Sequence, residues 1–146
     1  MVSVCIRAFE RSKELSDAIS SVLAQTYRGE FEIVVSDDSG HLREVVEDFR
    51  DARLRYVANP MPSGPAGNLR HVVHHARGDV LAMLSDDDWW EPRFLEVCMR
   101  AIGDGSSADV VFTDHWLDIG GRRVHRRFPH APGRHDPFVA EVVEDA

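Results

Sequence analysis

Cysteine is scarce in this chain. Cys5 and Cys98 are the only two, and neither stands at a spacing used for metal or redox chemistry. Two buried thiols in a reducing cytosol are therefore expected rather than a disulfide. Positive charge is in deficit: 17 Lys and Arg face 25 Asp and Glu, for a formal net charge of −8 and a pI near 5.4. That balance argues against a nucleic-acid partner, which wants a basic footprint. It does not argue against nucleotide diphosphates, because a bound cation inverts the local field. Long apolar runs are missing too, and no signal-peptide pattern precedes the first apolar segment, so no transmembrane segment is expected. A cytoplasmic location is expected, with a membrane-peripheral one as the alternative for a full-length form. At 146 residues the chain can bury a real core within one domain.

What is present is an alternation of short apolar runs and amphipathic patterns. Val2 to Ile6 reads as a first strand. Leu15, Ala18, Ile19, Val22 and Leu23 mark one face of a helix, with Ser12 as its expected N-cap. Phe31 to Val35 is a second strand that exits into Ser36-Asp37-Asp38-Ser39-Gly40. Leu42, Val45, Val46 and Phe49 mark a second helix, and Leu54 to Val57 a third strand. After a loop rich in proline and glycine, Leu69, Val72, Val73 and Ala76 give a third helix its apolar face. Asp79 to Leu84 reads as a buried fourth strand. Leu95, Cys98, Met99 and Ile102 predict a fourth helix with Pro92 at its start, and Ala108 to Phe112 a fifth strand. The alternation predicts an α/β domain with a mostly parallel sheet flanked by helices.

The fourth strand runs into Ser85-Asp86-Asp87-Asp88 and then Trp89-Trp90. Three adjacent carboxylates repel one another unless a cation screens them. Hard divalent ions take oxygen ligands, and Mg²⁺ sites often combine one or two carboxylates with substrate phosphates. The competing reading is a solvated acidic turn that opens a helix, since acidic residues favour helix N-termini. Placement favours the site. Ligands of open parallel sheets bind beyond the carboxyl ends of the strands, and right-handed crossovers gather those ends on one edge. Arg7 follows the first strand, Asp37 and Asp38 the second, and Asp86, Asp87 and Asp88 the fourth. Scattered surface carboxylates would not choose one edge repeatedly.

In order along the chain come VSVCIRAFER, LSDAISSVLAQTY, FEIVVSDDSG, NPMPSGPAGNLRHVVHHARGDVLAMLSDDDWWEP and, more weakly, ADVVFTDHWLD. In that order and spacing they resemble the nucleotide-sugar-binding half of a family 2 glycosyltransferase with a GT-A fold, over roughly residues 2 to 118. The resemblance implies a Rossmann-like sheet in strand order 3-2-1-4 plus a later strand. It implies inverting transfer of a sugar from a nucleotide-diphosphate donor, UDP- or dTDP-type, to an acceptor, with Mn²⁺ or Mg²⁺ as cofactor. The family's DxD-type motif falls on the acidic cluster. By that resemblance Asp86 contacts the ribose or a metal-bound water, Asp87 contacts the metal, and Asp88 supports them or caps a helix. Asp38, or Asp37 beside it, is implied as acceptor for a base N–H. Asn68 stands where the family often has Asn; ligand contact and a helix N-cap are both open for it. Two positions depart from the pattern. Arg7 replaces a usual Pro or Thr and is free to reach a phosphate, stack on a base, or pair with Glu10 or Asp38. Ser85 replaces the motif's first Asp, as in a variant that carries a hydroxyl there. A non-catalytic nucleotide- or partner-binding module on the same fold is the alternative reading.

His71, His74 and His75 have a spacing that suggests metal, but the apolar residues between them claim the core face, so they are expected to point to solvent. Of Trp89 and Trp90, one is expected to pack and one to lie near the cleft. Gly120-Gly121 predicts a hairpin turn, with Arg122, Arg123, Arg126 and Arg127 on a solvated strand beyond it. Residues 1–128 are expected to be the nucleotide-sugar-binding domain. Residues 129–146 are expected to hold a loop (Pro129 to His135) and a short helix (Pro137 to Val143) that begin an acceptor-binding half. The resemblance places the catalytic base beyond the chain, and Asp114 and His115 are only local candidates. The chain alone is expected to bind donor and transfer slowly, and an open sheet edge would favour oligomerisation.

Overall fold

Strand β1 (Val2–Ala8) is buried at six of its seven positions, so both of its faces are covered. It lies between β2 (Phe31–Asp37) and β4 (Val80–Ser85), and β2 pairs in turn with β3 (Leu54–Ala58). All four strands are parallel, in the order β3-β2-β1-β4, with the switch in order beside β1. The computed structural model describes residues 1–103 and 110–126, and it divides into two units, Met1–Glu96 and Val97–Ala146. Helix α1 (Ser12–Leu23) buries Leu15, Ala18, Ile19 and Val22, the face its periodicity predicts. Burying such aliphatic side chains contributes about 1.5–3 kcal/mol each. Its N-cap is Arg11, one residue ahead of the expected Ser12, because Leu15 N–H already bonds the Arg11 carbonyl at 3.0 Å. Helix α2 (Arg43–Glu47) is short, and α4 (Phe94–Gly103) starts two residues after Pro92.

The end of the sheet away from the strand exits is locked by polar groups. Glu32 takes hydrogen bonds from Ser3 Oγ (2.7 Å), Arg77 N–H (2.7 Å) and Arg55 Nε (3.0 Å), and Arg55 also donates to the His75 carbonyl. Gly78 passes so close to β1 that a Cβ there would sit 2.6 Å from the Met1 carbonyl oxygen and 2.7 Å from Ser3 N. Only glycine permits that approach.

Three expectations are corrected. Helix α3 (Gly64–His75) does not bury Leu69 and Val73, which are exposed; its core face is Asn68 and Val72, with Val72 against Cys5 and Val34. The Asn68 amide bonds the Ala8 carbonyl at 3.2 Å, and this turns the helix so that His71 and His75 become half-buried. Strand β4 is not buried throughout. It forms the sheet edge and exposes Leu81 and Met83. The part of the expected fifth strand that is described, 110–112, is not a strand: 110–114 have no regular structure, and Ala108 and Asp109 lie outside the described residues. The later strands are instead β5 (His115–Ile119) and β6 (Arg122–Arg126), an antiparallel hairpin of their own. Gly120 and Gly121 turn it with φ of +61° and +80°, the left-handed pair that a two-residue hairpin favours. Arg127, the loop from Pro129 and the helix from Pro137 lie outside the described residues. Among the described residues no helix is long and apolar enough to cross a membrane.

Candidate functional site at the strand exits

Parallel register brings the polar residues level. Arg7 of β1 pairs with Ser36 of β2 and Ser85 of β4, and Ala8 pairs with Asp37. Backbone bonds carry the alignment past the strand ends: Asp38 N–H to the Ala8 carbonyl (3.0 Å), Asp86 N–H to the Arg7 carbonyl (3.2 Å), and Asn59 N–H to the Asp37 carbonyl (3.0 Å). The two departures from the family pattern meet, since Arg7 Nη2 donates to Ser85 Oγ at 3.0 Å. A hydroxyl at position 85 thus gives the guanidinium a neutral acceptor.

Asp37 and Asp38 are both buried, in different networks. Asp37 accepts from Ser39 N–H (2.8 Å), Ser39 Oγ (2.6 Å), Leu42 N–H (2.9 Å) and Tyr56 OH (2.8 Å). Four donors fill the lone pairs of a carboxylate. Asp38 accepts from Ser63 N–H (2.9 Å), Ser63 Oγ (2.8 Å), Gly64 N–H (2.8 Å) and the Asn59 amide. It therefore does for α3 what a capping side chain would do, reaching the helix start from β2. Burial works to raise both carboxyls, but these hydrogen bonds outweigh it and hold both below their ordinary value. Asn68 lies in the second turn of α3, so it is not the N-cap; its Oδ1 accepts from Asn59 Nδ2 at 3.5 Å. The expected solvent-facing histidines are corrected in part: His74 is exposed, but His71 Nδ1 sits 3.0 Å from Ser36 Oγ. Burial and the neighbouring imidazoles hold His71 below its usual value.

Asp86 is buried and Asp87 is half-exposed. Asp86 Oδ2 accepts from Phe9 N–H at 2.9 Å. Its Oδ1 lies 3.5 Å from Arg11 Nη1, the same nitrogen that bonds Asp87 Oδ2. Burial pushes the Asp86 carboxyl up, while the Phe9 N–H and Arg11 oppose it. The charge of Asp87, and then of Asp86, raises the Arg11 guanidinium further. Two carboxylate oxygens that already converge on one cationic nitrogen fit a single shared cation. Among the described residues no group of three or more metal-ligating side chains occurs. Asp86 and Asp87 would offer a hard cation two carboxylate oxygens, and phosphate and water oxygens would add to them. Asp88 and Trp89 are exposed, whereas Trp90 is buried and stacks on Phe94 with ring centroids 4.2 Å apart. Cys5 and Cys98 are free thiols, each pushed up to about 11, chiefly by burial. A concavity of about 420 Å³ between α2 and β3 contains none of the candidate residues. In the second unit Asp114 Oδ2 lies 3.5 Å from His125 Nε2.

Arg11, Asn59 and Ser63 were not singled out by sequence reasoning. A signal existed for Arg11: a cation before a helix's first turn opposes the macrodipole and implies an anionic partner. None existed for Asn59 and Ser63, whose bonds to Asp38 span 21 and 25 residues.

Residues 3–140 match the family model described as glycosyl transferase family 2. A UDP-Glc:alpha-D-GlcNAc-diphosphoundecaprenol beta-1,3-glucosyltransferase of Escherichia coli is 34% identical over 99 residues, covering 66% of this chain and 39% of that protein. A putative glycosyltransferase of Bacillus subtilis is 32% identical over 138 residues, 90% of this chain and 49% of its own length. The chain thus spans less than half the length of these curated relatives. Among solved structures, residues 1–349 of Staphylococcus aureus TarS superpose with a TM-score of 0.65 at 23% identity, over 70% of this chain and 32% of that one. A Pyrobaculum calidifontis mannosyltransferase, in complex with GDP-Man and Mn²⁺, superposes with a TM-score of 0.58 at 23% identity, over 69% and 31%. The fold is that of GT-A glycosyltransferases, and the chain belongs to glycosyl transferase family 2.

Proposed function

We propose that this chain carries the donor site of a glycosyltransferase that moves a sugar, with inversion, from a nucleotide diphosphate to a lipid-diphosphate-linked acceptor. The observation that carries the reading is the convergence of Asp86 and Asp87 on one cation at the exit of β4, level with Arg7 of β1. The Escherichia coli relative, named for a diphosphoundecaprenol acceptor, and the mannosyltransferase holding GDP-Man and Mn²⁺ support it. Such an acceptor would bring the protein to a membrane surface.

Asp86 and Asp87 would hold Mn²⁺ or Mg²⁺, whose chemistry is to neutralise charge on the departing diphosphate. Asp86, fixed by the Phe9 N–H, orients the pair and meets the ribose. Arg7, held by Ser85 at the switch point, faces the phosphates or the base. Asp38 is favoured over Asp37 for a base N–H, because two of its donors come from the exposed Ser63. A uracil- or thymine-type N–H would replace the Ser63 hydroxyl there. Asn68 stays behind that contact through Asn59.

Titrating UDP and dTDP with Mg²⁺ into isotope-labelled protein tests the placement. Amide shifts should concentrate at residues 7–11, 36–40, 59–64 and 85–88. Shifts at the opposite end, around Ser3, Glu32 and Gly78, would contradict it.

A further inference from the structure

Arg11 stands where positive charge is disfavoured, immediately before the first turn of α1. The carboxylate pair holds it there: one guanidinium nitrogen reaches both Asp86 Oδ1, at 3.5 Å, and Asp87 Oδ2. Those are the oxygens that would hold a divalent ion, and they cannot serve both cations at full strength. The Arg11 side chain is 52% exposed, so it can leave for water without opening the core. Resting on the donor-site reading above, we infer that Arg11 is the resident counter-cation of Asp86 and Asp87, and that a divalent ion binds only by displacing it.

Charge makes the exchange depend on the nucleotide. The two carboxylates and Arg11 together carry one net negative charge. A divalent ion entering the pair turns that sum positive and leaves the displaced guanidinium beside it at the positive end of a helix. Metal alone therefore binds against repulsion. A diphosphate arriving with the metal supplies the missing negative charge, so Arg11 opposes free metal and favours the metal–nucleotide pair. The residue thereby restricts metal loading to the moment a donor is present.

Calorimetric titration of Mn²⁺, alone and with UDP, into the wild type, Arg11→Gln and Arg11→Lys tests this. Gln keeps the length and removes the charge. Mn²⁺ alone should bind Arg11→Gln about two- to fivefold tighter, the range open to an exposed ion pair. The enhancement by UDP should be smaller in Arg11→Gln than in the wild type. Arg11→Lys, which keeps the charge, should stay near the wild type. Unchanged or weaker Mn²⁺ binding by a normally folded Arg11→Gln, or an undiminished UDP enhancement, overturns the exchange. A wild type that binds neither Mn²⁺ nor UDP brings down the donor-site reading and this inference together, so the two failures are distinguished by the wild type alone.

Discussion

At the scale of single residues, Asp37 and Asp38 share a motif but differ in what a ligand can take from them. Asp37 is closed by four internal donors, one of them the Tyr56 hydroxyl from β3. Asp38 is bonded to a loop residue that has water as an alternative partner. Ser63→Ala removes that competitor and should tighten UDP binding by about two- to tenfold, the range of one hydrogen bond. Asp38→Asn should weaken UDP binding by about 1–3 kcal/mol and also lower the thermal midpoint, because it loosens the start of α3. Fluorescence or calorimetric titration of both variants checks the pair; equal affinities in the two would remove Asp38 from the base pocket. The sequence told which carboxylates lie at the strand exits, because chain order and parallel topology dictate it. It did not separate Asp37 from Asp38, nor reveal Arg11, because those distinctions depend on partners that only folding brings close.

At the scale of elements, β1 and β2 are legible as continuous apolar runs buried on both faces, and the α1 face because its burial follows helical periodicity. The α3 face was not, because one polar bond, Asn68 to the Ala8 carbonyl, outweighs the apolar pattern that favoured Leu69 and Val73. Val110 and Phe112 look strand-like in sequence, but the glycine pair at 120 and 121 selects the segment that pairs. The lock at the other end of the sheet makes two predictions. Gly78→Ala drives a methyl into the Met1 carbonyl and should cost about 1–3 kcal/mol in urea unfolding, with UDP affinity preserved in the folded fraction. Burial alone would raise the Glu32 carboxyl, yet bonds from Ser3, Arg77 and Arg55 hold it below its ordinary value. A depressed carboxyl stabilises the fold above its unfolded value, about 4.3, and loses that contribution as pH falls through the folded value. Glu32→Gln should therefore make the acid limb of stability against pH shallower. It should not flatten it, since Asp37, Asp38 and Asp51 (down to about 2) are depressed in the same sense.

At the scale of the whole molecule, the four parallel strands gather one guanidinium–hydroxyl pair and two sets of carboxylates at a single edge, beside the switch in strand order. The acidic balance of the chain, which argues against nucleic acid, suits a site whose anionic ligand arrives with a cation. On the proposed reading, metal and nucleoside diphosphate bind this edge as a coupled pair through Asp87. The most direct measurement is calorimetric titration of UDP into the wild type and Asp87→Ala, each with Mn²⁺ and with EDTA. The wild type should bind UDP at least tenfold tighter with Mn²⁺ than with EDTA, a coupling of about 1.4 kcal/mol or more. Asp87→Ala should bind it weakly and alike in both. UDP binding that ignores Mn²⁺ in the wild type, or a Mn²⁺ enhancement that survives in Asp87→Ala, would contradict the claim.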